Sequence, residues 1–294
     1  MSVEISVLVV NLNNLLYTRQ CIEDLLNQDV EFNLRLVDQN STEEGTNDFF
    51  NNFFLQYVNG EFTGKINLLE IIHTGYNRPL NYLWNEFVDT SSTDFLCLLN
   101  NDVRLPPNFL STSISVLEKE PLVGFVNHVT NNIIYSRWSD LLEYKIMEQP
   151  YRQGWDITLR KSCYSQIPKD LTFFYGDDYI YSKLYSSGMK GAYILNSPMI
   201  HFERSTTVEK GGQRDASPDG SFFSQLDLEF KKLEQINPMG SLEFATISFD
   251  AFRRGAVSPQ LLDLDSYTPI IRILEKLNML TLTTGNVIDC LIKH

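Results

Sequence analysis

Residues 95–102 read FLCLLNND, an unbroken apolar run that stops at two asparagines and an aspartate. Such a run, with neither alternating nor helical polarity, marks a strand buried on both faces, the kind found inside a parallel sheet. Working back from it, Leu80, Leu83, Trp84, Phe87 and Val88 fall at helical spacing, and Ile66 to Ile72 reads as another strand. Before that, Phe49, Phe50, Phe53, Phe54 and Tyr57 recur every three or four residues, which places an aromatic stripe on one helix face and in the core. Leu34 to Val37 is a short strand. Leu15, Leu16, Cys21, Ile22, Leu25 and Leu26 form a helix behind a candidate Asn14 cap, and Ile5 to Val10 is the first strand. Strands alternating with helices predict an α/β fold: a mainly parallel sheet covered by helices on both faces. Ligands bind at the carboxyl ends of such strands. The residues that follow the strands are Asn11, Asn13, Asp38, Asn40, His73, Gly75 and Asn100 to Asp102.

Working forward, Phe109, Leu110, Ser113, Ile114 and Leu117 predict a helix and Val123 to Val126 a strand, while Asn127 to Pro168 reads as loops and antiparallel strands. Asp177 to Ser187 looks helical with Gly188 as its stop, followed by a strand from Ala192 to Leu195. Ser205 to Ser221 (STTVEKGGQRDASPDGS) reads as a mobile loop or linker. Helical patterns follow at Leu226, Phe230 and Leu233, at Ile270 to Leu277, and at Val287 to Leu291.

The chain has 294 residues, a formal charge of -13 and 43% hydrophobic residues, which excludes disordered, collagen-like and disulfide-scaffold classes. That charge disfavours a nucleic acid or anionic membrane as partner unless a local basic patch meets it. The four cysteines lack metal-binding or redox spacing, as in a reduced, cytoplasmic protein. No segment approaches the ~20 apolar residues of a membrane helix, so no transmembrane segment is expected.

Four groups could carry chemistry. Asp102, a carboxylate at a sheet rim beside amides, suits Mg²⁺ or Mn²⁺ shared with substrate phosphates, or is simply a turn or helix-cap aspartate before Pro106. Asp38 could accept hydrogen bonds from a ribose or base, or form an Asx-turn with Ser41 as a helix cap, and these two readings are compatible. Asp177 and Asp178 follow Phe173-Phe174-Tyr175-Gly176, where they could act as a general base or complement a helix dipole. His201 could be a metal ligand or a partly buried histidine. A glycine-rich phosphate loop, an H-E-x-x-H pair and a nucleophile elbow are all missing from the sequence.

Taken in order, these segments resemble the family 2 glycosyltransferases of the GT-A fold, mainly inverting enzymes that use nucleotide-diphosphate sugars. Ser6 to Asn13 looks like the family's first strand and nucleotide loop, and Leu36-Val37-Asp38-Gln39-Asn40-Ser41-Thr42 is similar to its V-D-N-x-S-x-D-G-T segment. His73 to Asn81 resembles the N-x-G-F-x-x-x-N-N stretch, keeping Gly75, an aromatic at Tyr76 and Asn81. Leu98-Leu99-Asn100-Asn101-Asp102 matches a variant of the D-x-D motif, and Phe174 to Asp178 resembles the aromatic-x-E-D catalytic segment. His201 falls where the family often has a histidine after its last sheet strand.

The resemblance covers about Ile5 to Ser205. It implies a GT-A domain over residues 1–205, Rossmann-like with a mixed, mainly parallel sheet, and a loop plus mainly helical extension over residues 206–294. It further implies that Asn11, Asn13, Asp38, Asn40, Gly75, Arg78, Asn81 and Asn101 line the nucleotide-sugar site. Asp102 and His201 would hold Mn²⁺ or Mg²⁺, and Asp178 would be the base with Asp177 supporting it. The partners implied are a nucleotide-diphosphate sugar, UDP-linked first, and a hydroxyl acceptor, either a glycan or a hydroxylated base in DNA. A homo-oligomer could form through the C-terminal helices. The chain departs from the pattern at Asn100, which replaces the first D-x-D carboxylate and leaves the metal shell to Asp102, diphosphate oxygens and water. It departs also at Asp177, Ile180 and Arg78-Pro79; Arg78 either reaches a phosphate or is a solvated loop cation. Asn100 and Ile180 keep a second class in play, a non-catalytic nucleotide-sugar-binding module. A nucleotidyltransferase would need a glycine-rich basic loop after strand one, which Val10 to Asn14 does not supply.

Overall fold

The computed structural model describes residues 4–130, 142–147, 153–202 and 221–236. The central strands follow the sequence closely. Strand β1 (Ile5–Asn11) leads to α1 (Leu15–Leu26), β2 (Phe32–Asp38), α2 (Thr46–Val58), β3 (Ile66–His73), α3 (Leu80–Thr90) and β4 (Phe95–Asn100). β1 pairs parallel with both β2 and β4, and β2 pairs parallel with β3. The interior strands β1 and β4 are buried almost throughout, which is why their sequences are continuously apolar.

The second half turns this parallel half-sheet into a mixed one. It comprises β5 (Val103–Arg104), α4 (Phe109–Lys119), β6 (Val123–Thr130), β7 (Tyr144–Met147), β8 (Asp156–Arg160), α5 (Gly176–Ser186), β9 (Lys190–His201) and α6 (Ser221–Ile236). β8 inserts antiparallel between β4 and β6, and β9 runs parallel to β6 but antiparallel to β5 and β7. Among the described residues the order is β3-β2-β1-β4-β8-β6-β9-β5, with β7 beside β9. The last strand extends well past the predicted Leu195. Its pairing with β6 shifts register between His128 and Thr130, which lets a strand containing Pro198 continue to His201.

Two apolar layers sandwich the sheet. Cys21, Ile22 and Leu25 of α1, Phe50 and Phe53 of α2, and Leu110, Ile114 and Leu117 of α4 pack with Val7, Val9, Cys97 and Leu99. Leu83 and Phe87 of α3, Ile180 and Leu184 of α5, and Leu233 of α6 pack with Leu8, Leu96 and Leu98 on the opposite face. Alternate residues of one strand thus serve opposite layers. The α2 aromatic stripe is core at Phe50 and Phe53, while Phe54 and Leu16 of the predicted apolar faces are exposed. Burial pushes the Cys97 thiol up to about 12, so it is an inert core residue.

Two predicted caps differ. Asn14 precedes α1 but makes no side-chain cap bond, and α2 begins after Gly45, at φ 80, rather than at Ser41. Ser41 is instead drawn back to Asp38, as described below. The predicted loop from Ser205 lies outside the described residues up to Ser221, where α6 starts. The helical patterns at Ile270 to Leu277 and Val287 to Leu291 lie outside them altogether, as does the oligomer contact expected there.

One buried ion pair fixes the short strand that follows Asp102. Arg104 donates to Asp24 of α1 from Nε at 2.6 Å and from Nη2 at 2.9 Å, and the Leu105 amide donates to the same carboxylate. Both side chains are almost fully buried, at 5% and 2% exposure. Asp24→Asn strands the guanidinium, and unfolding in denaturant should show a loss of about 3–5 kcal/mol. A loss below about 1 kcal/mol would mean that the pair does not hold β5 in place.

Candidate active site

The carboxyl ends of β1, β2 and β4 build one buried polar network. Asn11 donates from Nδ2 to Asp38 Oδ1 at 2.8 Å and to Ser41 Oγ at 3.0 Å, and its Oδ1 accepts from Thr18 Oγ1 at 2.8 Å. Asn101 donates to that threonine hydroxyl at 2.8 Å, which ties the end of β4 to the end of β1. Asp38, 2% exposed, also accepts from the Ser41 hydroxyl and amide. The Asx-turn is therefore present, and it uses the carboxylate's oxygens locally. Beside it, His73 Nδ1 lies 3.6 Å from Asp38 Oδ2.

Asn13 and Asn40 sit in the left-handed region at φ 51 and 58, a conformation that asparagine tolerates better than most residues. From there the Asn13 amide oxygen accepts from the Thr42 and Glu43 backbones, and its own N–H donates to Ser41 Oγ. The loops after β1 and β2 are thereby clamped together. Gly75 is exposed, and a Cβ there would meet nothing within 4 Å, so the unliganded geometry does not demand glycine.

A cavity of about 230 Å³ opens against these ends. Val10, Gln39, Arg78, Trp84, Asn101, Asp102 and Phe173 are among the residues lining it. Arg78 is held over the cavity by two sets of bonds. Its main chain exchanges hydrogen bonds with the Gln39 side chain, and its guanidinium pairs with Glu86 at 2.5 Å. Asn81 points elsewhere: its backbone amide donates to Thr172 O, and its side chain donates to Phe174 O at 3.1 Å. It is buried, and it bridges α3 to the segment that precedes Asp177.

Asp102 and His201 meet across the β5–β9 pairing, where Val103 stands opposite His201 and the Phe202 amide donates to Asp102 O at 2.8 Å. The imidazole Nε2 lies 3.4 Å from Asp102 Oδ1, and both residues are nearly buried. Trp155 stacks on the histidine ring with centroids 4.5 Å apart, and its carbonyl accepts from the Asn100 amide. One carboxylate oxygen and one imidazole nitrogen beside an open cavity fit a divalent cation that keeps water and phosphate oxygens in its shell. Among the described residues no group of three or more His, Cys, Asp or Glu converges, so the remaining ligands would have to come from solvent and substrate.

Behind this wall lies a second His–Asp pair that the sequence did not single out. His128 faces Asp156 Oδ2 through Nδ1 at 3.2 Å and through its own amide at 2.8 Å. Burial pushes the Asp156 carboxyl up against the opposing hydrogen bonds from His128. The pair is fully buried, one residue from Trp155, and stitches β6 to β8.

Asp177 and Asp178 occupy the first turn of α5, where the helix dipole favours their charged forms. Asp178 is 6% exposed and Asp177 more open. A Cβ on Gly154 would collide with the Asp177 carboxylate, so a glycine is needed there for Asp177 to lie against the backbone next to Trp155. Gly176 likewise leaves room for the Asn81 amide. The structure thus gathers Asn11, Asn13, Asp38 and Asn101 into one network. Asp102 and His201 form one pair and Asp177 lies against Gly154, the residue before Trp155, whereas Asn81 is a bridge. Arg160 and Lys161 donate to backbone carbonyls at the opposite end of the strands, beside Phe95 at the start of β4.

Glycosyl transferase family 2 matches residues 6–182, more than half of the chain. The chain belongs to that family. Its sheet and helices match solved glycosyltransferases and are those of the GT-A fold. The mannosyltransferase PcManGT from Pyrobaculum calidifontis, in complex with GDP-Man and Mn²⁺, shares 13% identity at a TM-score of 0.55, over 98% of this chain and 86% of that one. S. aureus TarS 1–349 shares 14% at 0.51, over 79% and 65%. GalNAc-T7 with UDP, GalNAc and Mn²⁺ shares 13% at 0.52, over 68% and 44%. The chain therefore spans less than two thirds of the TarS fragment and under half of GalNAc-T7. Comparison with curated protein sequences gave no match. No helix among the described residues is long and apolar enough to cross a membrane.

Proposed function

We propose that the protein is a metal-dependent, inverting glycosyltransferase that moves a sugar from a nucleotide-diphosphate sugar, UDP-linked first, to an acceptor hydroxyl on a glycan. The observation that carries this reading is the Asp102–His201 pair at 3.4 Å beside a cavity of about 230 Å³ at the carboxyl rim of the sheet. The solved neighbours in complex with UDP or GDP-Man and Mn²⁺ support the same donor class.

Asn11, Asn13, Asp38, Asn40 and Asn101 would shape the nucleoside side of the site, and Gly75 and Arg78 its open flank. Asp102 and His201 would hold Mn²⁺ or Mg²⁺, which supplies charge neutralisation to the leaving diphosphate. Asp178 would take the proton of the acceptor hydroxyl, and Asp177, braced against Gly154, would keep the α5 turn in register. As the acceptor oxygen bonds to the anomeric carbon, the bond from that carbon to the diphosphate oxygen breaks on the opposite side, so the configuration inverts. The free thiols at Cys21, Cys97 and Cys163 accord with a reducing, cytoplasmic setting.

Incubation with a panel of UDP- and GDP-sugars, with and without Mn²⁺, tests the reading through donor hydrolysis and thermal shift. Metal-dependent release of nucleoside diphosphate is expected from one donor. No turnover together with no nucleotide-dependent shift would reject the enzyme reading and leave the fold without this chemistry.

A further inference from the structure

The segment that delivers Asp177 and Asp178 is held by α6. Glu229, fully buried on that helix, accepts from the Thr172 amide at 2.9 Å, from the Phe173 amide at 3.2 Å and from the Phe174 amide at 2.9 Å. The Thr172 hydroxyl and Gln225 Nε2 complete its shell. One carboxylate thus satisfies three successive backbone donors, a nest that otherwise binds a free anion. Each bond to a charged acceptor is stronger than its neutral counterpart.

The turn that follows carries strain. Tyr175 sits at φ 58, unfavourable for a bulky side chain, immediately before α5. Its ring is buried and packs on Phe230, the residue after Glu229, with centroids 5.9 Å apart. Two adjacent α6 residues therefore grip both sides of the turn, and Lys232 adds an ion pair to Asp170 at 3.1 Å. Downstream of the grip stand Asp177 and Asp178; inside it, Phe173 forms part of the cavity wall.

We infer that Glu229 is a positioning residue of the transfer reaction: its carboxylate locks the 172–174 backbone and so fixes the approach of the Asp177–Asp178 turn to the donor cavity. This rests on the proposed role of those aspartates as the base segment. A displacement of the base by even ~1 Å costs about 100-fold in rate, whereas the Glu229 hydrogen bonds described above go to residues 172–174 and Gln225 rather than to the Asn11–Asp38 network or the Asp102–His201 pair.

The test compares the full-length wild type with Glu229→Ala, Glu229→Gln and Glu229→Asp. Glu229→Ala should lower kcat by about 10- to 100-fold while nucleoside-diphosphate affinity in Mn²⁺ stays within about threefold. Glu229→Gln keeps an oxygen for the backbone donors and should recover most of the rate. Hydrogen exchange at the 172–174 amides should accelerate in Glu229→Ala and stay slow in Glu229→Gln. If Glu229→Ala does not fold, Glu229→Asp, with the charge retained on a shorter arm, should show the same split between kcat and affinity. A folded Glu229→Ala with wild-type kcat, or unchanged exchange at those amides, overturns the inference. So does a loss confined to stability that Glu229→Gln does not rescue. A wild-type chain that turns over no donor fails at the proposed function itself and is read separately from these outcomes.

Discussion

Asp178→Asn should lower kcat by about 10²- to 10⁴-fold while nucleoside-diphosphate affinity changes by less than about threefold. Asparagine keeps the shape and the hydrogen-bonding reach of the side chain but cannot take a proton. The residue stands in the first turn of α5, nearly buried, whereas the polar network proposed for the nucleoside side is built from the ends of β1, β2 and β4. Loss of rate without loss of binding is therefore the signature of a base. Steady-state kinetics with titration of the free nucleotide measures both. Full activity in Asp178→Asn, with collapse in Asp177→Asn, would move the base to the neighbour that lies against Gly154.

Asp102→Ala should weaken nucleoside-diphosphate binding in Mn²⁺ by about 100-fold and leave metal-free binding unchanged. The size follows from the short donor set. With Asn100 in place of a carboxylate and the His201 imidazole 3.4 Å away, Asp102 would supply the negative charge of the protein's share of the shell. Its loss is not made up nearby, since no group of three or more His, Cys, Asp or Glu converges among the described residues. Calorimetry with and without the metal reads the difference directly. An unchanged metal dependence would remove Asp102 from the ligand set.

Much of this architecture is legible in the sequence because burial on both faces leaves a simple mark. β1 and β4 read as strands since nearly every side chain must be apolar, and their ends are visible as the switch to Asn11 or Asn100. The helices over them show helical spacing for the same reason. What escaped the sequence depends on pairing rather than pattern. β5 is two residues long and exists through its pairing with β9, and β9 passes Pro198 because a register shift accommodates it. Ser41 looks like a helix cap by type but is drawn to Asp38, while Gly45 opens α2.

The site shows the same division. Asp38, Asp102, Asp178 and His201 are legible because each ends a strand or begins a helix beside a recognisable motif. Trp155 carries no local signal; its role comes from stacking on a histidine distant in sequence. Glu229 did leave a trace, an acid on the same helical stripe as Leu226, Phe230 and Leu233. A charge on an apolar face implies a buried partner, yet backbone amides of a distant loop cannot be named from spacing.

Native mass spectrometry of the full chain with a panel of nucleotide sugars, in Mn²⁺ and in chelator, tests the central claim most directly. Retention of one donor together with one metal ion is expected, with loss of both masses in Asp102→Ala. Retention of no donor, or retention in chelator or in Asp102→Ala equal to that of the wild type in Mn²⁺, would contradict a metal-assisted diphosphate site at the Asp102–His201 rim.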